Sequence, residues 1–293
     1  MHAWLPAGEV RASLQIAHGL AEHGARYRRF AEAATQRGFA VYADDHRGHG
    51  RTASGGTKGF FAEVQGWRSV LDDLARLGDH VTGAHPGVPK LFFGHSMGSF
   101  LGQQVAFERG EQFKGIALSG CASGSGNPLA PVGRVVARIE RWRLGAHKPS
   151  ALLTKMSFGD FNRPFEPSRT KFDWLSRDPA EVDAYVQDPL CGFDASTQLW
   201  IDMLDALPGL AAAEHLARLP KSLPMYLTVG ERDPVHRGLK DFHKLVEQYE
   251  AAGLRDVTVR IWSDARHELL NETNRDEVTA ALLDWMEQKA FSA

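Results

Sequence analysis

The chain has 293 residues, is 43% hydrophobic and 24% charged, and carries a formal net charge of −2, an ordinary soluble globular composition. That balance gives no electrostatic reason to expect a nucleic-acid partner, and no apolar run approaches the ~20 residues that span a bilayer. Its two cysteines, Cys121 and Cys191, fit no metal knuckle or redox pair, so two reduced, partly buried thiols are expected.

At the N-terminus, Met1-His2-Ala3-Trp4-Leu5-Pro6 shows no basic stretch followed by an apolar one. No secretory signal is expected, and a cytoplasmic location follows, although a leader already removed would read the same way. A strand over 14–17 leads into the loop His18-Gly19-Leu20-Ala21-Glu22-His23, and a helix follows over 27–36. The next strand, 39–43, runs into Asp45-His46-Arg47-Gly48-His49-Gly50, and helical spacing resumes over 67–81. The short apolar run 91–93 is bounded by Pro89 and Gly94, as a buried strand would be. Immediately after it comes Gly94-His95-Ser96-Met97-Gly98, and a helical pattern covers 97–108. A serine squeezed between strand and helix takes strained dihedrals, and glycines two positions either side relieve the crowding.

Beyond a strand at 116–118, the alternation of strand and helix breaks between about 124 and 208. Strand-like runs vanish there, and Pro, Trp, Phe and Arg punctuate helical segments such as 132–144 and 197–207. An insertion this long is no plain loop. A small helical cap over the carboxyl ends of the strands is expected, where α/β sheets bind ligands. The alternation then resumes with strand 225–229, helix 239–252, strand 257–262 and a last helix over 277–289. Such an order argues for a mostly parallel sheet covered on both faces. The expected division is a core in two parts, 1–124 and 209–293, with a cap over 125–208.

If Ser96 is a nucleophile, it needs a base and an acid to hold that base, following in the order Ser, Asp or Glu, then His. The strand 225–229 runs into Gly230-Glu231-Arg232-Asp233-Pro234, which puts Asp233 on a loop at a strand's carboxyl end. The strand 257–262 runs into Ser263-Asp264-Ala265-Arg266-His267, which does the same for His267. Asp264 is the rival acid, but it shares a short loop with His267, so Asp233 is preferred. Backbone N–H groups of Met97, next to the serine, and of Leu20, after Gly19 in an early strand's loop, are the expected oxyanion donors.

These motifs carry a resemblance. His18-Gly19-Leu20-Ala21-Glu22-His23 with Arg26-Tyr27, Asp45-His46-Arg47-Gly48-His49-Gly50, Gly94-His95-Ser96-Met97-Gly98, Arg266-His267-Glu268 with Asn271-Glu272, and Asp188-Pro189-Leu190-Cys191-Gly192-Phe193 together resemble the monoacylglycerol lipases and bacterial lysophospholipases. The resemblance implies an α/β-hydrolase fold with a helical cap, hydrolysis of single-chain lipid esters, and no cofactor. It matches Ser96, Asp233 and His267 to the triad, and Leu20 and Met97 to the oxyanion donors. It also sets Glu22 and Arg26 near the alcohol end of the pocket, with an internal ion pair as the alternative. His46, Arg47 and His49 offer superficial metal-ligand spacing; a structural turn is expected, since this serine chemistry needs no metal. Ala21 and Ser99 stand where the family has glycine, and only 3–5 remain to form a strand the family has ahead of 14–17.

Substrate class is carried by the cap. Its Leu152, Leu153, Met156, Phe158, Phe161, Phe165, Phe172 and Trp174 would serve an acyl chain or the cap's own core. Val132, Val135, Val136, Ile139 and Trp142 share a helical face, with Arg134, Arg138, Arg141 and Arg143 interleaved. Packing of that face downward is favoured, and transient contact with an anionic lipid surface is the alternative. A short-chain esterase, a thioesterase, a serine aminopeptidase or a non-catalytic receptor remain competing functions, and the sequence sets no oligomeric state. An aspartate-nucleophile enzyme is disfavoured because the turn carries Ser96.

Overall fold

Short apolar runs become strands where both faces are covered. β1 (His2–Trp4), β2 (Ala12–Ala17), β3 (Phe39–Ala43), β4 (Lys90–His95), β5 (Gly115–Ser119), β6 (Met225–Gly230) and β7 (Val257–Trp262) form one sheet in the order β1-β3-β2-β4-β5-β6-β7. Every residue of β2 through β6 is buried, whereas β7 at the far edge is partly exposed. The computed structural model describes residues 1–125 and 130–291. All neighbouring strands are parallel except β1, which pairs antiparallel with β3. The leading edge strand thus forms, in three residues.

Alternate side chains along each strand feed two cores. Leu14, Ile16, Leu91 and Phe93 pack with Phe30 of α1 (Arg28–Gln36) and with residues such as Leu282 and Met286 that close the chain. Phe92, Ile116, Leu118 and Leu227 point the other way, toward Val70, Leu71 and Leu74 of α2 (Gly66–Ala84) and Leu101 and Val105 of α3 (Met97–Arg109). The chain steps from β2 outward to β3 and then back across to β4. That reversal leaves a crevice at the carboxyl ends of β2 and β4, where an open α/β sheet takes its ligand.

Between β5 and β6 the chain leaves the sheet and forms α4 (Ala130–Leu144), α5 (Ala151–Phe158), α6 (Pro179–Gln187), α7 (Thr197–Leu210) and α8 (Ala213–Ala217). Three of these start on side-chain caps: Ser150 accepts from Leu153 N–H, Asp178 from Ala180 N–H and Ser196 from Leu199 N–H. Such caps satisfy first-turn N–H groups that the helix itself leaves unpaired. The core then resumes with α9 (Lys240–Ala251) and α10 (Arg275–Phe291).

α4 packs on α7 through the other side from the one expected. Ala137 and Glu140 are its buried residues, and Glu140 accepts from Ser150 and Arg143. Val132, Val135 and Ile139 are each more than half exposed, and Trp142 is 87% exposed. Downward packing of the apolar face is therefore wrong for four of its five residues; Val136 alone reaches the core, partly buried. Among the described residues no helix is long and apolar enough to cross a membrane.

Candidate active site

Ser96 sits between β4 and α3 with φ +52° and ψ −116°. A non-glycine residue at positive φ is strained, and its surroundings hold it there. A Cβ on Gly94 would lie 2.3 Å from Gly98 O, and one on Gly98 would lie 2.1 Å from Ala17 O. Ser96 N–H donates to Ser119 O at 2.9 Å, and Ser96 O accepts from Ser99 N–H at 2.8 Å and from Ser99 Oγ at 2.6 Å. Ser99 thus adds a bond to the turn. Met97 begins α3, so its N–H is one of those the helix cannot satisfy internally. The β2 loop comes close as well: a Cβ on Gly19 would reach within 3.3 Å of Ser96 Cβ.

Asp233 and His267 leave β6 and β7 on loops that interlock. Glu231 N–H donates to Trp262 O at 2.9 Å and Arg232 N–H to Ala265 O at 3.0 Å. No Cβ fits at Gly230, since Arg266 O would stand 2.1 Å away. Held so, His267 Nδ1 donates to Asp233 Oδ2 at 2.6 Å, and Val235 N–H donates to Asp233 Oδ1 at 2.9 Å. Asp264 instead lies exposed, with φ +56°. Gly120, at φ +59°, leaves the space a side chain would take from the imidazole, 2.9 Å from His267 Cε1.

Electrostatics separate the two partners. Burial opposes charge on Asp233, but His236 and His267 outweigh it and hold the carboxyl well below its ordinary range. Burial likewise opposes the His267 imidazolium, yet Asp233 overcomes it and the net shift is upward. His95, ring centroid 4.8 Å from His267, is driven down to about 4 by burial and by His267. It stays neutral beside an imidazole that titrates higher.

Ser96, His267, Gly19, Leu20 and Glu22 line one cavity of about 340 Å³. Its roof comes from the insertion: Phe158, Phe172, Trp174, Tyr185 and Phe193. Trp174 lies 5.0 Å from the His267 ring, and Glu268 N–H donates to Leu175 O at 2.8 Å. On the other side Gly192 N–H and Tyr185 Oη both donate to Ala21 O at 2.9 Å. Ala21 takes φ +56°, a backbone region that glycine enters more readily than alanine.

Glu22 and Arg26 form the internal ion pair. Arg26 donates to Glu22 Oε2 at 2.7 Å and to both oxygens of Glu268 at 2.6 and 2.7 Å, while Glu22 Oε1 accepts from Gly19 N–H and Tyr27 Oη. Glu268 is held down to about 2, Arg26 outweighing burial. The sequence marks Glu268 only through its place in the motif Arg266-His267-Glu268. The 46–49 stretch is a turn: His46 Nδ1 pairs with Asp44, Arg47 with Asp73, and His49 Nδ1 with Arg47 O. Among the described residues, His23, Asp188 and Cys191 alone group three potential metal ligands, within 4.8 Å. His23 already pairs with Asp188 at 2.8 Å, and burial pushes the Cys191 thiol up, so the set serves as a hydrogen-bonded joint.

Residues 8–274 match the family model described as serine aminopeptidase, S33. The chain belongs to this family. Within the S33 family fold, the chain is 27% identical to a monoacylglycerol lipase of Mycolicibacterium smegmatis over 97% of its length and 90% of that protein's. It is 28% identical to the human monoglyceride lipase, over 99% and 87% of the two chains. A solved thermostable carboxyl esterase from Bacillus coagulans, in complex with glycerol, superposes with a TM-score of 0.87 at 26% identity, covering 98% of this S33 chain and 93% of the esterase.

Proposed function

We propose that this S33 chain is a carboxylic-ester hydrolase acting on single-chain lipid esters through Ser96, His267 and Asp233. His267 takes the proton of Ser96 Oγ as the oxygen attacks the ester carbonyl carbon. Asp233 keeps the proton on His267 Nδ1, so Nε2 is free to act as base. The tetrahedral oxyanion accepts from the N–H groups of Met97 and Leu20, oriented before the reaction begins. Collapse breaks the bond to the alcohol, which leaves with the proton from His267. Water, deprotonated by the same imidazole, then attacks the acyl-serine and releases the acid and free Ser96. No cofactor enters the sequence.

The observation that carries this reading is the 2.6 Å bond from His267 to Asp233 at the wall of a cavity that Ser96 also lines. The aromatic roof favours an acyl chain over a peptide, and the lipase names of the relatives agree with it. The exposed Val132, Val135, Ile139 and Trp142 beside Arg138 and Arg141 support transient contact of α4 with an anionic lipid surface, from which the substrate is drawn. A panel of monoacylglycerols, lysophospholipids, graded p-nitrophenyl esters and an aminoacyl amide tests the reading. We expect kcat/KM to rise with acyl length and the amide to be inert. A preference for acetyl esters or for the amide would instead establish a short-chain esterase or an aminopeptidase.

A further inference from the structure

The acid of the site has a second imidazole on it. Asp233 caps the short turn Pro234–His236, which Arg237 closes at φ +50°, and His236 Nε2 lies 2.8 Å from Asp233 Oδ2, the same oxygen that accepts from His267. Both side chains are fully buried. The contact is close but off the ideal hydrogen-bond line, and neither ring nitrogen of His236 has another partner. At that distance an Nε2 lone pair would face carboxylate lone pairs, so Nε2 carries the proton and the N–H dipole points at Oδ2. Phe242 of α9 stands 6.2 Å from the His236 ring, centroid to centroid.

Building on the triad reading, we infer that His236 is a positioning residue: it pins the Asp233 carboxylate from the side opposite in role to His267 and fixes the direction in which His267 is held. Without it, Oδ2 is anchored by His267 alone, and only Oδ1, through Val235 N–H, keeps the carboxylate in place. The carboxylate then rotates, and the imidazole it orients drifts with it. His236 also draws on the Asp233 charge, so it limits how strongly Asp233 stabilises the His267 imidazolium. Asp233 in turn acts on His95 and Cys121; Glu268 and Glu22 act on His267, and Arg237 on the adjoining turn pairs with Asp241.

The test compares His236→Gln, whose amide nitrogen reaches the place of Nε2, with His236→Asn, whose amide is too short to do so. Steady-state kinetics on a soluble p-nitrophenyl ester are measured across pH, with melting curves and fluorophosphonate labelling of each protein. We expect His236→Asn to lose roughly tenfold or more in kcat with KM little changed, on the scale of outer-shell partners of functional side chains. Its acid limb should move to higher pH, while His236→Gln keeps native kcat and a native limb. Equal losses in the two variants, or a native kcat and limb in His236→Asn, would overturn the inference. Failure of the native protein to label or turn over would instead sink the triad reading, and leave both variants equally silent. If His236→Asn does not melt cooperatively, His236→Leu takes its place in the same comparison.

Discussion

Ser96 holds its dihedrals because neighbouring backbone leaves it no alternative, and that makes Gly98 the most sensitive position of the turn. Gly98→Ala puts a methyl group 2.1 Å from Ala17 O, so β2 and α3 must part. The expected cost is about 1–3 kcal/mol, read as a lower denaturant midpoint together with loss of ester turnover. The ion network beneath the site behaves differently. Arg26→Met leaves Glu22 and Glu268 buried without their cation, and breaking such a set costs about 3–5 kcal/mol; a melting temperature equal to the native value would show that water replaces the arginine. A third prediction concerns pH. The base works neutral, and Asp233 raises the His267 pKa, so kcat/KM should fall as pH drops through a value above 6.5, the ordinary histidine value. An acid limb below that would contradict the pairing. At this scale the sequence was most informative where a residue type is forced: Gly94, Ser96 and Gly98, with Asp233 and His267 each following a strand. The pairing of Arg26 with Glu268 spans 242 positions and leaves no local pattern, whereas His236 lies three residues from Asp233 with no sequence motif to mark the contact.

Elements were legible where periodicity is strong. The strands expected at 39–43 and 257–262 have those same bounds, and α2, α3 and α9 depart from expectation by a few residues at most. Within the insertion, α4 and α7 could be read, but α5, α6 and α8 span eight, nine and five residues, too short for a periodic signal to accumulate. The apolar stripe of α4 faces solvent, against the expected downward packing; tertiary contact with α7, not amphipathicity, decides the inner side. α7 also joins the core. Gln198 Nε2 donates to Asp202 Oδ1 at 2.9 Å, and Asp202 Oδ2 closes against Gly66, where a Cβ would lie 2.1 Å away. Burial raises the Asp202 carboxyl from 3.8 to about 6. The folded state therefore favours the protonated form, and stability contributed by Asp202 is lost as pH rises from about 4 to about 6. Asp202→Asn, neutral throughout, should melt higher than the native protein at neutral pH, with the gap closing in acid. A gap independent of pH would refute the titration.

At the scale of the whole molecule, chain reversal between β3 and β4 creates the crevice, and the insertion roofs it. Two backbone joints, Gly192 to Ala21 and Glu268 to Leu175, bind that roof to the loops carrying Leu20 and His267, so cap position and catalytic geometry are linked. Solvent exposure of Trp142 at 87% places the apolar stripe on the outside of the same roof. Trp142→Glu should lower co-sedimentation with anionic vesicles while leaving turnover of a soluble ester unchanged; equal sedimentation of both proteins would remove the surface-contact proposal. The central claim is that one strained serine forms the acyl intermediate. Intact-protein mass spectrometry after treatment with a fluorophosphonate tests it most directly. The native chain should gain a single adduct that maps to Ser96, and Ser96→Ala should gain none while melting cooperatively. An unlabelled native chain, or an adduct on another residue, would contradict the claim.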